Sequence, residues 1–221
     1  MQPHPLLKIC GITNPGDGQR ALQVGATALG LNGWPGSKRY VALTDHAAWI
    51  RQLNQNAPDG VIVVLVNPDL DAVLQLREEG LATQFQLHGE ETPEFVAELM
   101  ERQVPVIKAL RVRGEDDLAD LERFACETLL LDAWHPGERG GTGTTFDWQL
   151  ARQAVRQNPR KRLILSGGLT PLNVGEAIEK VSPGGVDVAS GVENAGNPRQ
   201  KNAKKMADFC DAARVGYQNL V

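Results

Sequence analysis

Eight short apolar runs recur at near-even intervals along this chain, at positions 6–10, 27–32, 61–66, 84–88, 104–110, 128–132, 163–166 and 186–190, each rich in leucine or β-branched residues. Runs this short suit buried strands, because such side chains fit a packed, pleated surface. The segments between them, at 15–24, 44–54, 69–77, 93–102, 116–124, 148–156 and 172–180, carry helical spacing, as does the last stretch, 200–214. Several open on Asn, Asp, Thr or a nearby Pro, as helix starts do.

Strand–helix alternation implies parallel strands joined by crossover helices, and eight units are the number that closes an α/β (β/α)8 TIM barrel. An open doubly wound sheet is the alternative. Even strand spacing favours closure, and no linker or shift in composition divides the 221 residues. The expectation is a single (β/α)8 barrel catalytic domain over residues 1–221, without internal repeats.

Composition narrows the function. A formal charge of −4 argues against a general nucleic-acid partner, whose backbone attracts basic surfaces. The first residues, Met-Gln-Pro-His-Pro, lack the basic stretch and apolar core of a signal peptide. No apolar run approaches the roughly 20 residues that span a bilayer. A cytoplasmic protein without a membrane partner is therefore expected. Cys10, Cys126 and Cys210 are odd in number and widely spaced, which fits neither a disulfide framework nor a metal-ligand set. Cys126, late in the fifth helical segment, and Cys210, in the last, read as core packing.

In such a barrel the loops after the strands share one rim, where catalysis takes place. The clusters that fall there are Cys10-Gly11-Ile12-Thr13, Ser37-Lys38-Arg39, Gln86-Leu87-His88-Gly89, Lys108, Asp132, Gly140-Gly141-Thr142-Gly143, Ser166-Gly167-Gly168-Leu169 and Ser190-Gly191-Val192-Glu193. Cys10 ends the first run. Most cysteines are merely small apolar residues, but a thiolate at the rim can accept a carbon-bound proton. Lys8, two residues earlier, faces the same side of the strand, and its charge is expected to favour that thiolate. Asp132 ends an apolar run, where a carboxyl group is either paired structurally or kept to donate a proton.

Gly167-Gly168 follows strand seven and Ser190-Gly191 follows strand eight, the usual phosphate position in these barrels, where glycines let backbone N–H groups approach phosphate oxygens. Gly140–143 would serve as a lid or substrate-gripping segment. Arg39 stands where its guanidinium could clamp an anionic substrate. His88 and Asp187 also border the rim, although single residues of these types more often satisfy hydrogen bonds than catalyse.

Taken together, Lys8-Ile9-Cys10-Gly11-Ile12-Thr13, Gln86-Leu87-His88-Gly89-Glu90, Leu130-Leu131-Asp132, Gly140-Gly141-Thr142-Gly143 with Phe146-Asp147-Trp148, Gly167-Gly168-Leu169 and Val186-Asp187-Val188-Ala189-Ser190-Gly191-Val192-Glu193 resemble the phosphoribosylanthranilate isomerase family of tryptophan biosynthesis, in order and over essentially the whole chain. The resemblance implies an Amadori rearrangement of N-(5-phosphoribosyl)anthranilate to the 1-deoxyribulose 5-phosphate derivative, with no cofactor and no metal. It implies Asp132 as general acid at the furanose ring oxygen and Cys10 as general base at C2. Arg39 matches the arginine near the anthranilate carboxylate, His88, Asp187, Gly141 and Gly143 match substrate-contacting positions, and Gly167, Gly168, Ser190 and Gly191 match the phosphate site. The chain departs from the family pattern in the 31–39 loop, in Thr144, where a lysine is common, and in Lys201-Asn202, where Lys-Asp is typical. Two other readings are a related phosphosugar barrel enzyme, such as the isomerase of histidine biosynthesis or indole-glycerol-phosphate synthase, and a catalytically silent barrel that binds a phosphorylated metabolite. A monomer and a homodimer both fit the sequence.

Overall fold

A computed structural model describes residues 4–133 and 147–220. Strands β1 (Leu6–Cys10), β2 (Ala28–Asn32), β3 (Val61–Leu65), β4 (Gln84–Leu87), β5 (Val106–Val112), β6 (Thr128–Ala133), β7 (Arg162–Leu165) and β8 (Gly185–Val188) pair in parallel, each with the next. β8 pairs back onto β1, so the sheet closes into the expected barrel rather than an open sheet. Helices α1 (Pro15–Gln23), α2 (Ala47–Asn56), α3 (Leu70–Glu78), α4 (Pro93–Glu101), α5 (Trp148–Gln157), α6 (Val174–Val181) and α7 (Ala203–Gln218) alternate with the strands.

Local chemistry explains where the helices start. The side chains of Asn14, Asp69, Thr92, Asp147 and Asn202 each accept a backbone N–H from the first turn of α1, α3, α4, α5 and α7, satisfying a donor that has no partner within the helix. Val73 of α3, Val96 and Leu99 of α4, and Ala177 and Ile178 of α6 are buried in the large apolar layer between helices and sheet.

Strand residues of alternate parity form a second, smaller apolar cluster: Leu6, Ala28, Ile62, Ile107, Ala109, Leu130 and Ile164. Because side chains alternate across a strand, this cluster identifies the inward face. Lys8 and Cys10 lie two and four residues beyond Leu6, Asp132 two beyond Leu130 and Ser166 two beyond Ile164, so all four face the barrel interior toward one rim.

Two elements differ from the sequence expectation. The fifth helical segment is a 3₁₀ helix over Glu115–Arg123, with Leu118 and Leu121 as its buried residues. A spacing of three between apolar residues matches the 3₁₀ repeat, in which i and i+3 eclipse. Cys126 accordingly lies beyond a helix, buried in the turn before β6. The last helix begins at Ala203, because Asn197–Lys201 (β10) pairs antiparallel with Glu193–Asn194 (β9) through a turn at Gly196. Among the described residues no helix is long and apolar enough to cross a membrane.

Candidate active site

The Cys10 thiol sits at the C-terminal end of β1, opposite Gly30 of β2. A side chain at position 30 would collide with it, so the glycine creates the space that the sulfur occupies. The chain then turns away at Gly11, whose φ of +75 lies in the left-handed region, and the absent Gly11 Cβ makes room for the stem of Arg39.

Lys8 favours the Cys10 thiolate, as the sequence suggested, but does not prevail over burial. Burial pushes the thiol above its ordinary value, and the nearby Lys8 and Lys201 charges offset this only in part. Lys8 is also engaged elsewhere. Its ammonium donates to Asp187 Oδ1 at 2.9 Å and to Gln86 Oε1 at 2.9 Å. Although burial opposes its charge, the Asp187 carboxylate holds Lys8 above the ordinary lysine range.

From Lys8 a line of polar contacts crosses the barrel interior. The Gln86 amide nitrogen lies 3.1 Å from His88 Nδ1, and His88 Nε2 lies 3.2 Å from Asp132 Oδ2. At the other end Ser166 Oγ donates to Asp187 Oδ2 at 3.2 Å. Asp132 and Asp187 are therefore inside one network that joins strands β6, β4, β1 and β8. Gln86, like Ser166, is a member to which sequence reading gave no role of its own. Its signal was its parity, two residues before His88 on the same strand.

Arg39 is not a free clamp. Its Nε donates to Glu193 Oε1 at 2.6 Å and its Nη2 donates to Oε2 at 3.0 Å, a bidentate pair. Burial opposes the Arg39 charge, but Glu193 holds the guanidinium above its ordinary value. Glu193 Oε1 also accepts from Lys201 Nζ at 2.9 Å. Sequence reading gave Glu193 and Lys201 no chemical role. Both belong to the β9–β10 ribbon, which stitches the rim loops together. Thr13 Oγ1 donates to Arg199 O, Arg199 Nη1 donates to Tyr40 O, and the Lys201 backbone N–H donates to Asp17. Burial lowers the pKa of Lys201 despite its pairing with Glu193.

Gly167 and Gly168 have φ of +85 and +67, so their backbone turns in a way that side-chain-bearing residues rarely adopt. Asn173 braces that turn by accepting from Thr170 N at 2.7 Å and donating to Gly168 O at 3.0 Å. Ser190 and Gly191 open a 3₁₀ turn just after β8, rather than ending the strand. The missing Gly191 Cβ lets that turn pack against the Leu169 carbonyl, bringing the two glycine turns side by side. Lys108, a rim residue by sequence, instead points outward and donates to the Glu91 carboxylate at 2.8 Å. Gly141 and Gly143 lie outside the described residues. Among the described residues no group of His, Cys, Asp and Glu side chains comes together as metal ligands would.

Comparison with known proteins agrees with this geometry. Residues 7–212 match the family model described as N-(5'phosphoribosyl)anthranilate (PRA) isomerase. The chain is 43% identical over 208 residues to the N-(5'-phosphoribosyl)anthranilate isomerase of Pelobacter propionicus, covering 94% of this chain and 95% of that one. It is 41% identical to the enzyme of the same name from Nostoc punctiforme, covering 91% and 94%. The crystal structure of phosphoribosyl anthranilate isomerase from Thermotoga maritima superposes with a TM-score of 0.79 at 35% identity, covering 95% and 98%. A phosphoribosyl anthranilate isomerase solved in complex with reduced 1-(o-carboxyphenylamino)-1-deoxyribulose 5-phosphate gives 0.76 at 33%, with the same coverage.

Proposed function

The chain belongs to the N-(5'-phosphoribosyl)anthranilate isomerase family, and from that membership we propose that Cys10 and Asp132 are the base and acid of an Amadori rearrangement within one catalytic domain. The supporting observation is that an inward thiol on β1 and an inward carboxyl on β6 stand on different sides of one barrel interior, above the same apolar layer.

Asp132 gives a proton to the furanose ring oxygen of N-(5'-phosphoribosyl)anthranilate, and the C1–O bond opens to a protonated imine. That cation acidifies the C2 hydrogen. Cys10 takes the C2 proton as thiolate, the electrons left behind form the enolamine, and protonation at C1 with loss of the C2 hydroxyl proton gives the ketone, 1-(2-carboxyphenylamino)-1-deoxyribulose 5-phosphate. Only protons move, so the reaction needs no oxidant or cofactor. The two proton transfers occur at different atoms of the sugar, which is why two groups on separate strands serve better than one.

The phosphate binds at the adjoining turns of Gly167, Gly168, Ser190 and Gly191, where the three glycines carry no side chain to obstruct their N–H groups. Arg39, aimed by Glu193, reaches the anthranilate carboxylate with the edge of its guanidinium that Glu193 leaves uncovered. Gly141 and Gly143, between β6 and α5 in sequence, contact the substrate. His88 and Asp187 act on the substrate through Asp132 and Lys8. The enzyme works in the cytoplasm.

Turnover of freshly generated phosphoribosylanthranilate tests this reading. Cys10→Ala and Asp132→Ala are each expected to lower kcat by roughly a hundredfold or more, the usual share of a positioned acid or base. Retained turnover in both variants would overturn the assignment.

A further inference from the structure

The contacts between Lys8 and Asp132 fix more than distances. An ammonium has three donors and no acceptor, so the Gln86 atom facing Lys8 must be the carbonyl oxygen. The other end of the amide, an NH2 donor, then faces His88 Nδ1 at 3.1 Å. That ring nitrogen can only accept, so the imidazole proton resides on Nε2, which points at Asp132 Oδ2. An imidazolium would set an N–H against the Gln86 N–H.

We propose that Gln86 is a positioning residue that locks His88 in its Nε2–H tautomer, so that Asp132 receives a hydrogen bond at Oδ2 and carries its catalytic proton on Oδ1. The chain of obligation starts at the Asp187 carboxylate, which keeps Lys8 charged, and passes through one amide and one imidazole to the acid. The relay lies inside the barrel: Lys8 is 0%, Gln86 1% and Asp132 3% exposed and the His88 side chain 14%, so water has little access to the donors. Lys8 also lies close enough to the Cys10 sulfur to interact with it, and the relay therefore begins beside the base and ends on the acid. The functional half of this inference rests on Asp132 being the acid of the proposed reaction.

The tautomer is readable without any variant. In protein labelled with ¹⁵N-histidine, the two-bond ¹⁵N–¹H spectrum should show the His88 ring with Nδ1 bare and Nε2 protonated, its signals assigned by their loss in His88→Gln. Gln86→Glu replaces the NH2 donor by a carboxylate oxygen that accepts from Nδ1–H, and should reverse the pattern. With the bare Nε2 then facing Asp132, kcat should fall roughly tenfold or more while KM changes far less, as expected when an acid–base residue is left with the wrong tautomer partner. In a His88→Gln background, whose amide has no tautomers, the same Gln86→Glu change should cost little further activity, whereas a merely structural role would impose its full cost again. A native spectrum with Nδ1 protonated, or a Gln86→Glu protein with unchanged spectrum and unchanged kcat, would overturn the proposal. Full turnover by Asp132→Asn would instead overturn the acid assignment, and with it the functional half, while the spectrum still reports the tautomer.

Discussion

Gly30 and Cys10 are opposite residues on β2 and β1, and a β-carbon added to Gly30 would lie 2.6 Å from the Cys10 sulfur and 2.9 Å from its α-carbon. Neither approach is possible in a relaxed core. Gly30→Ala must therefore displace the thiol or spread the two strands. Overpacking of this kind costs about 1–3 kcal/mol. If Cys10 is the base, the same substitution lowers kcat by roughly a hundredfold, because proton abstraction tolerates little misplacement. Steady-state kinetics beside thermal unfolding check both parts, and Ala28→Gly, two pairs further down β2 and opposite Lys8, serves as a control that weakens packing without crowding the sulfur.

The thiol's environment fixes the direction of a pH profile. Burial raises the Cys10 pKa, so at neutral pH the base form is a minority, and its fraction grows about tenfold per pH unit until the thiol titrates. The free enzyme's kcat/KM should accordingly rise from pH 7 to beyond about 8.5, the ordinary thiol value. Alkylation of Cys10 by iodoacetamide should follow the same curve. A plateau already reached below pH 8 would mean that the empty site holds a thiolate and that the cations around it outweigh burial.

Arg39 and Glu193 form a fork-to-fork pair that only a guanidinium can make. Arg39→Lys keeps the charge and loses the second bond. KM for phosphoribosylanthranilate should rise roughly tenfold with a smaller change in kcat, consistent with the loss of one charge-assisted hydrogen bond's worth of binding. Glu193→Gln should give a similar KM effect through disorder of Arg39 even though the arginine is untouched. Measuring both against a substrate lacking the anthranilate carboxylate provides the check, because the Arg39→Lys penalty should then largely disappear.

The barrel was legible because each of its strands is short and apolar and the segments between them carry helical spacing, several with their own start signal. Cys10, Asp132 and the paired glycine turns were singled out because each ends or follows a strand at the barrel's single catalytic rim. What escaped were contacts between residues far apart in sequence. Nothing local marks Glu193 as the partner of Arg39, since the two lie 154 positions apart and meet only because β8 closes onto β1. The β9–β10 ribbon was missed for a related reason: Gln200 and Lys201 fit a helical pattern, and only pairing with Glu193 and Asn194 draws them into a strand. Lys8 was placed correctly beside Cys10, but the competition of Asp187 for its charge is a property of strand neighbours at the closure of the barrel.

The outward side of the rim carries another buried ion pair, which holds loops together rather than meeting substrate. Glu91 and Lys108 are 2% and 3% exposed at their side chains, with the carboxylate 2.8 Å from Nζ. Glu91 also accepts backbone N–H groups from Asn67 at 2.8 Å and Gly89 at 3.0 Å, so it ties the loop after β3 to the loop that carries His88. Lys108 completes its shell on the Gly89 and Ala109 carbonyls. Removing one partner leaves the other charge buried and unpaired, which costs about 3–5 kcal/mol. Glu91→Ala should thus lower the melting midpoint by roughly 6–20 °C for a chain of this size. Acid should act in the same direction. Burial alone would raise the Glu91 pKa, but Lys108 and the N–H donors outweigh it and hold the carboxyl below its ordinary range. A depressed folded pKa stabilises the fold above the unfolded value of about 4.3 and loses that contribution as pH falls through the folded value. The melting midpoint of the native chain should therefore drop more steeply than that of Glu91→Gln as pH is lowered from 5, and equal slopes for the two would show that Glu91 is not ionised in the folded protein.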